Sequence, residues 1–314
     1  MEHLKTVLKK QYIFIILLIF WAISMLISPF FRTVSTFSEI FIVAVPIVLI
    51  GFAQNIVVIG QGFDLSVGSV ASLSACLASV LLQHNQFLAI IIILTVGVVI
   101  GLINGIGVAK FKINPFIMTL GMMFIIDGVS SIIRPSPGGI IPDSLKNILL
   151  YRIGDFALTP FLIIIVTGLF GTYLLKKRAL GRQIYAVGGD PKSAKMSGIN
   201  VDKIKIIIFV LSSVFSAIAG IFIACRISSG NASAGASYLF DSFIVVFMGG
   251  TLVSGGVGEF SGTIAAALII ASLVNIIQFI NISSWYHYII KGVILVMVSG
   301  IQIYFLNKRR KLNE

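Results

Sequence analysis

Apolar runs about as long as a bilayer core is thick recur along this chain from Tyr12 to Leu306. A helix needs about 20 mostly apolar residues to cross hydrocarbon, and no water-soluble core could bury so many such runs. Ten candidate spans follow: 12–28, 39–59, 66–82, 88–108, 115–133, 160–175, 205–225, 241–253, 260–280 and 286–306. Composition agrees, with 11% charged residues against about 25% in soluble domains. The predicted fold is therefore an all-α polytopic membrane protein of about ten transmembrane helices, with residues 1–314 forming one transmembrane domain. The first run follows a basic N-terminus, but Ser28-Pro29-Phe30-Phe31 offers no small-residue cleavage site, so it reads as a retained helix rather than a signal peptide.

The net charge of +12 does not point to nucleic acid, because the cations gather at both termini and over 176–205 rather than on one patch. Placing the N-terminus inside puts 17 of the 23 Lys and Arg residues in inner loops and 5 in outer loops. Positively charged loops stay on the cytoplasmic side, so both N- and C-termini are expected to be cytoplasmic. Cys76 and Cys225 sit in apolar runs and read as small buried hydrophobes. Three histidines without a clustered partner make no metal site, and no Ser/His/Asp or Cys/His set suggests an enzyme. A phosphate-cradling G-x-x-x-x-G-K-[S/T] run is missing as well, so no cofactor is expected in this chain.

Two glycine-rich breaks interrupt the apolar pattern, Gly60 to Ser69 and Gly249 to Gly262. Interrupted segments at matching places in two halves mark transporters built from inverted repeats, with the solute path between them. The eighth span, 241–253, is short for an unbroken crossing and could be re-entrant. Between the halves, the 176–205 loop contains a short helix over 190–199. Asp190 suits its N-cap, Pro191 its first position and Gly198 the left-handed residue after its end. So short a helix is marginal in water, and either it is part of a solvated loop or it packs on a partner through Ala194, Met196 and Ile199.

Four motifs in register carry a resemblance. They are Gly62-Phe63-Asp64-Leu65-Ser66-Val67-Gly68-Ser69, Asn114 to Gly121, Gly181 to Gly189, and Gly249-Gly250-Thr251 with Ser254 to Gly258. Together they resemble the ribose/xylose/galactose-type permeases of bacterial ABC sugar importers, from about residue 40 to the C-terminus. The resemblance implies that the 190–199 helix is a coupling helix docking on an ATP-binding cassette ATPase subunit, which binds ATP and Mg. It also implies a second permease copy or paralogue, a periplasmic or lipid-anchored sugar-binding protein, and a place in the bacterial cytoplasmic membrane. Three departures bear on solute identity: Gln61 and Phe63 replace a glycine and an aliphatic residue, Leu239 replaces an acid, and Asp127 stands where arginine is common.

An ionised carboxylate at mid-bilayer costs about 2.5–3.5 kcal/mol even on lenient scales, so Asp64, Asp127, Asp241 and Glu259 each need a partner or water. Asp64 and Asp241 precede or open apolar runs and read as helix caps, Glu259 as a loop residue, while Asp127, the deepest of the four, either faces the pore or pairs with another subunit. A neutral sugar needs hydroxyl-directed amides and an aromatic wall. Gln54, Asn55, Phe63, Asp64, Asn104, Asn275 and Gln278 are the candidate path residues, each amide having an interhelical hydrogen bond as its alternative. Lys291 either pairs with an acid or snorkels. The competing function is an ion-coupled secondary transporter of a small polar solute, with Asp64 or Asp127 as its ion site.

Overall fold

The computed structural model describes residues 2–27, 29–279, 286 and 289–300. It is built of helices: α1 (Glu2–Ile27), α2 (Val34–Ile59), α3 (Val67–Leu81), α4 (Gln86–Ala109), α5 (Pro115–Ile133), the short α6 (Asp143–Leu149), α7 (Leu158–Lys177), α8 (Ala179–Gly189), α9 (Pro191–Met196), α10 (Val201–Ile227), α11 (Ala236–Met248), α12 (Phe260–Phe279) and α13 (Ile289–Gly300). Strands β1 (Arg152–Ile153) and β2 (Phe156–Ala157) form a small antiparallel hairpin before α7. Six of the helices are long and apolar enough to cross a membrane, and four shorter apolar ones accompany them: Ile13–Leu26, α3, α11 and α13. The expected runs fall on these helices, with the eighth displaced to Ala236–Met248 and the last described only over Ile289–Gly300.

The surface is apolar in a way only lipid accommodates. Leu26 is 79% exposed, Phe87 77% and Ile132 81%, and each lies on a helix whose opposite side packs inward. In contrast, α2 is apolar all round and buried all round, as an axial helix must be. It packs against α7, α10, α11 and α12, and α10 in turn packs against α2, α3 and α4. Each half of the chain thus lends its central helix to the other half. Trp21 Nε1 donates to Ser272 Oγ at 2.9 Å, which ties α1 to α12 across the same seam.

Both α3 (15 residues) and α11 (13 residues) are short, and each follows an irregular stretch, 60–66 and 228–235. Irregular backbone at membrane depth survives only where protein covers it and satisfies its polar groups, and Asp64 and Ser66 are fully buried. This corrects the expected pairing of breaks. The stretch that matches 60–66 is 228–235, which likewise precedes a short helix; 249–259 lies at the far end of α11. The higher glycine density of 249–262 drew attention there, whereas 228–235 is three serines, two alanines, one asparagine and only two glycines, Gly230 and Gly235.

Candidate solute path and coupling helix

The chain leaves α2 at Gly60 and turns through Gln61, whose φ is +62°. It then runs back beside α10 to Asp64. One carboxylate oxygen of Asp64 accepts from Ser66 N (2.9 Å) and Ser66 Oγ (2.6 Å), and the other from Ser212 Oγ (2.7 Å). Asn104 Nδ2 on α4 donates to Ser66 Oγ at 3.0 Å. Thr119 Oγ1 on α5 accepts from Leu65 N at 3.0 Å and donates to backbone carbonyls, Phe63 O (3.2 Å) among them. One buried turn therefore joins the start of α3 to α4, α5 and α10. Asp64 and Asn104, picked separately from the sequence, meet here around Ser66. The sequence reading did not single out Thr119, which lies inside the Asn114–Gly121 motif, nor Ser212, which no motif marks.

The second irregular stretch copies this chemistry. Asn231 Oδ1 accepts from Ser233 N (2.9 Å) and Ser233 Oγ (3.0 Å), and Ser72 Oγ accepts from Gly235 N at 2.8 Å. The starts of α3 and α11 cross backbone to backbone. A Cβ on Gly235 would lie 2.0 Å from Gly68 O, and one on Gly68 would lie 2.7 Å from Gly235 O.

The other path candidates occupy separate places. Asn55 Nδ2 donates to Thr251 Oγ1 (2.8 Å) and Thr263 Oγ1 (2.9 Å), tying α2 to the segment after α11 and to α12. Asn55 Oδ1 and both amide atoms of Gln54 are buried without a hydrogen-bond partner among the described residues. Phe63 lies tilted against Phe243 with ring centroids 6.0 Å apart, and Phe243 stacks on Phe247 at 5.9 Å, an apolar wall along α11. Asn275 turns back to Ala271 O of its own helix at 3.1 Å. Gln278 falls in the last turn of α12, and its side chain lies outside the described residues.

Asp241 is not a cap. It lies inside α11, and its oxygens stand 2.7 and 2.9 Å from Lys291 Nζ of α13, both groups buried. The helix begins five residues earlier than the sequence suggested, so the acid falls on its body and needs a cation there. Glu259 pairs with Lys176 at 3.0 Å near the chain surface.

In the 176–205 segment the short helix forms as α9, capped as expected. Asp190 accepts from Lys192 N (3.0 Å), Ser193 N (3.2 Å) and Ser193 Oγ (2.6 Å). The Ser193 hydroxyl, then the two backbone N–H groups, hold its carboxyl below the usual range. Pro191 opens the helix and Gly198 (φ +80°) follows it in left-handed conformation. The expected apolar contact surface is corrected: Ala194 is buried and Ile199 packs on the core, leaving Met196, 90% exposed, as the outward apolar group. Ala194 and Met196 stand two residues apart, about 200° round a helix, and Ile199 lies beyond its end, so the three do not share one face.

Before α9, the unexpected α8 packs on the end of α2. A Cβ on Gly188 would lie 1.7 Å from Ile59 O, and that same carbonyl accepts from Gly256 N at 2.9 Å. Tyr185 Oη donates to Gly258 O at 2.6 Å, and burial, then Glu259, pushes its phenol up to about 12, so it remains a donor at neutral pH. Through these contacts α8 joins α9 to α2 and to the segment between α11 and α12.

Residues 36–299 match the family described as the branched-chain amino acid transport system / permease component. The ribose import permease protein RbsC of Haemophilus influenzae is 36% identical over 295 residues, covering 92% of this chain and 91% of that protein. RbsC of Escherichia coli K12 is 33% identical, covering 93% of both chains, and the galactose/methyl galactoside import permease protein MglC of the same strain is 32% identical, covering 94% of both. No solved structure matches. A family match over most of the chain and full-length relatives above 30% identity agree, and the protein belongs to this family of transport-system permease components.

Proposed function

We propose that this chain is the membrane-spanning subunit of an ATP-driven importer and translocates a neutral monosaccharide, a ribose-like pentose or related sugar. The full-length similarity to ribose and galactose import permeases carries the reading. The chemistry of the core supports a neutral solute. Lys291, the one buried cation among the described residues, already neutralises Asp241. What is left for a solute is amide and hydroxyl chemistry beside Phe63.

Ten apolar helices give two halves of five, an odd number, so the second half runs inverted to the first. With 17 cations against 5 on the basic side, both termini and the α8–α9 segment face the cytoplasm. There α9 meets an ATPase subunit, which supplies ATP and Mg, while a sugar-binding protein delivers solute to the opposite face and a second permease copy completes the passage. The membrane is the bacterial cytoplasmic membrane. Co-purification tests the coupling: Met196→Asp is expected to lose the ATPase subunit without changing the melting temperature of the permease. Retention of the ATPase by that variant would refute docking through α9.

A further inference from the structure

Asp127 of α5 is the one carboxylate inside an apolar span that the described residues leave unanswered. Asp64 has three hydrogen bonds and Asp241 has Lys291. No described group bonds the Asp127 carboxylate, although its backbone carbonyl accepts from Ser131 Oγ. The residue lies about 18 Å from one end of the helix and about 9 Å from the other at 1.5 Å per residue, further than an aspartate side chain reaches. Neighbouring positions divide cleanly. Thr119, Met122, Ile126 and Ser130 form the inward stripe of α5, while Phe124, Ile125 and Ile132 are more than half exposed. Asp127 sits at the edge between them, half-buried, on the stripe shared with Leu120, Met123 and Ser131.

An unpaired carboxylate at that depth is stable only beside water or a polar partner. The polar groups of the core are closed to water here, Gln54, Asn55, Asp64 and Asn104 all being 0% exposed. The geometry points to a route on the outer surface: the Asp127 edge of α5 borders the water-filled solute path, and its oxygens accept hydrogen bonds from solute hydroxyls in transit. This rests on the permease reading and adds to it a contact residue outside the buried core.

Cysteine accessibility in the assembled importer, in membrane vesicles, tests it. A membrane-impermeant cationic methanethiosulfonate is expected to modify Asp127→Cys at least about tenfold faster than Ile125→Cys on the lipid side of the same helix, and added sugar should slow the reaction. Asp127→Asn keeps the acceptor and should retain most uptake, whereas Asp127→Leu should lose about tenfold in uptake at low sugar. Equal, slow modification at both positions in a complex that still imports sugar overturns the proposal and leaves the permease reading intact. An unsubstituted complex without ATP-driven uptake overturns both.

Discussion

At the scale of single residues, the Asp64 turn makes the sharpest demands. Ser212 Oγ is the donor to one of its carboxylate oxygens. Ser212→Ala leaves a buried acceptor without that partner, which costs about 1–3 kcal/mol, and the solubilised permease should melt at lower temperature. An unchanged melting temperature would show that the turn tolerates an unpaired oxygen. Asp64 was legible in place, because an acid just ahead of an apolar run draws attention, but not in role: the N-cap of α3 is Ser66, and Asp64 binds Ser66 and Ser212 rather than the first turn of the helix. Ser212 was not legible, since it lies 148 residues away and a serine on an apolar helix has no distinguishing spacing. The same limit explains Asp241. Its cation lies 50 residues further on, and a start of α11 placed five residues late made a cap the simpler reading.

Elements were legible where local chemistry fixes their ends. Asp190, Pro191 and Gly198 bound α9 correctly, because capping geometry depends on neighbours in sequence. α8 was read as loop, because Gly181, Gly188 and Gly189 are poor helix formers; packing against α2 overrides that preference. Gly188→Ala would drive a methyl into the Ile59 carbonyl, whereas Gly189 has nothing within 4 Å. Gly188→Ala should therefore abolish stable expression or uptake and Gly189→Ala should leave both intact, as a paired fluorescence and uptake assay would show. The cap of α9 also has a defined acid response. Because the Asp190 pKa is depressed in the folded chain, its contribution is present above the ordinary carboxylate value of about 4 and is lost as pH falls through the lowered value. Asp190→Asn should thus leave the pH profile of uptake unchanged between about pH 5 and 8, while Asp190→Ala lowers uptake at every pH by uncapping the helix. A new inflection in that window for the Asn variant would contradict this account.

Over the whole molecule, the arrangement is an exchange of central helices between halves, α2 against α11 and α12 and α10 against α3 and α4. The helical, membrane-spanning character of the apolar runs was legible from hydropathy, because lipid imposes length and composition directly. Their exchange was not, since apolar periodicity names a buried face without naming its partner. The Asp241–Lys291 pair fastens α11 to α13 within this arrangement. Lys291→Met strands a buried carboxylate and should cost about 3–5 kcal/mol, while Asp241→Asn combined with Lys291→Met should recover most of it. Thermal melting of the single and double variants distinguishes this from simple additivity.

The central claim is that ATP hydrolysis on a partner chain drives a neutral sugar through this one. It is tested most directly by uptake of radiolabelled ribose, other pentoses and galactose into proteoliposomes holding the permease, its ATPase subunit and its binding protein. The account predicts accumulation of at least one of these sugars that requires ATP and persists when proton and sodium gradients are collapsed. Uptake that survives ATP removal but stops with the ion gradient would contradict it.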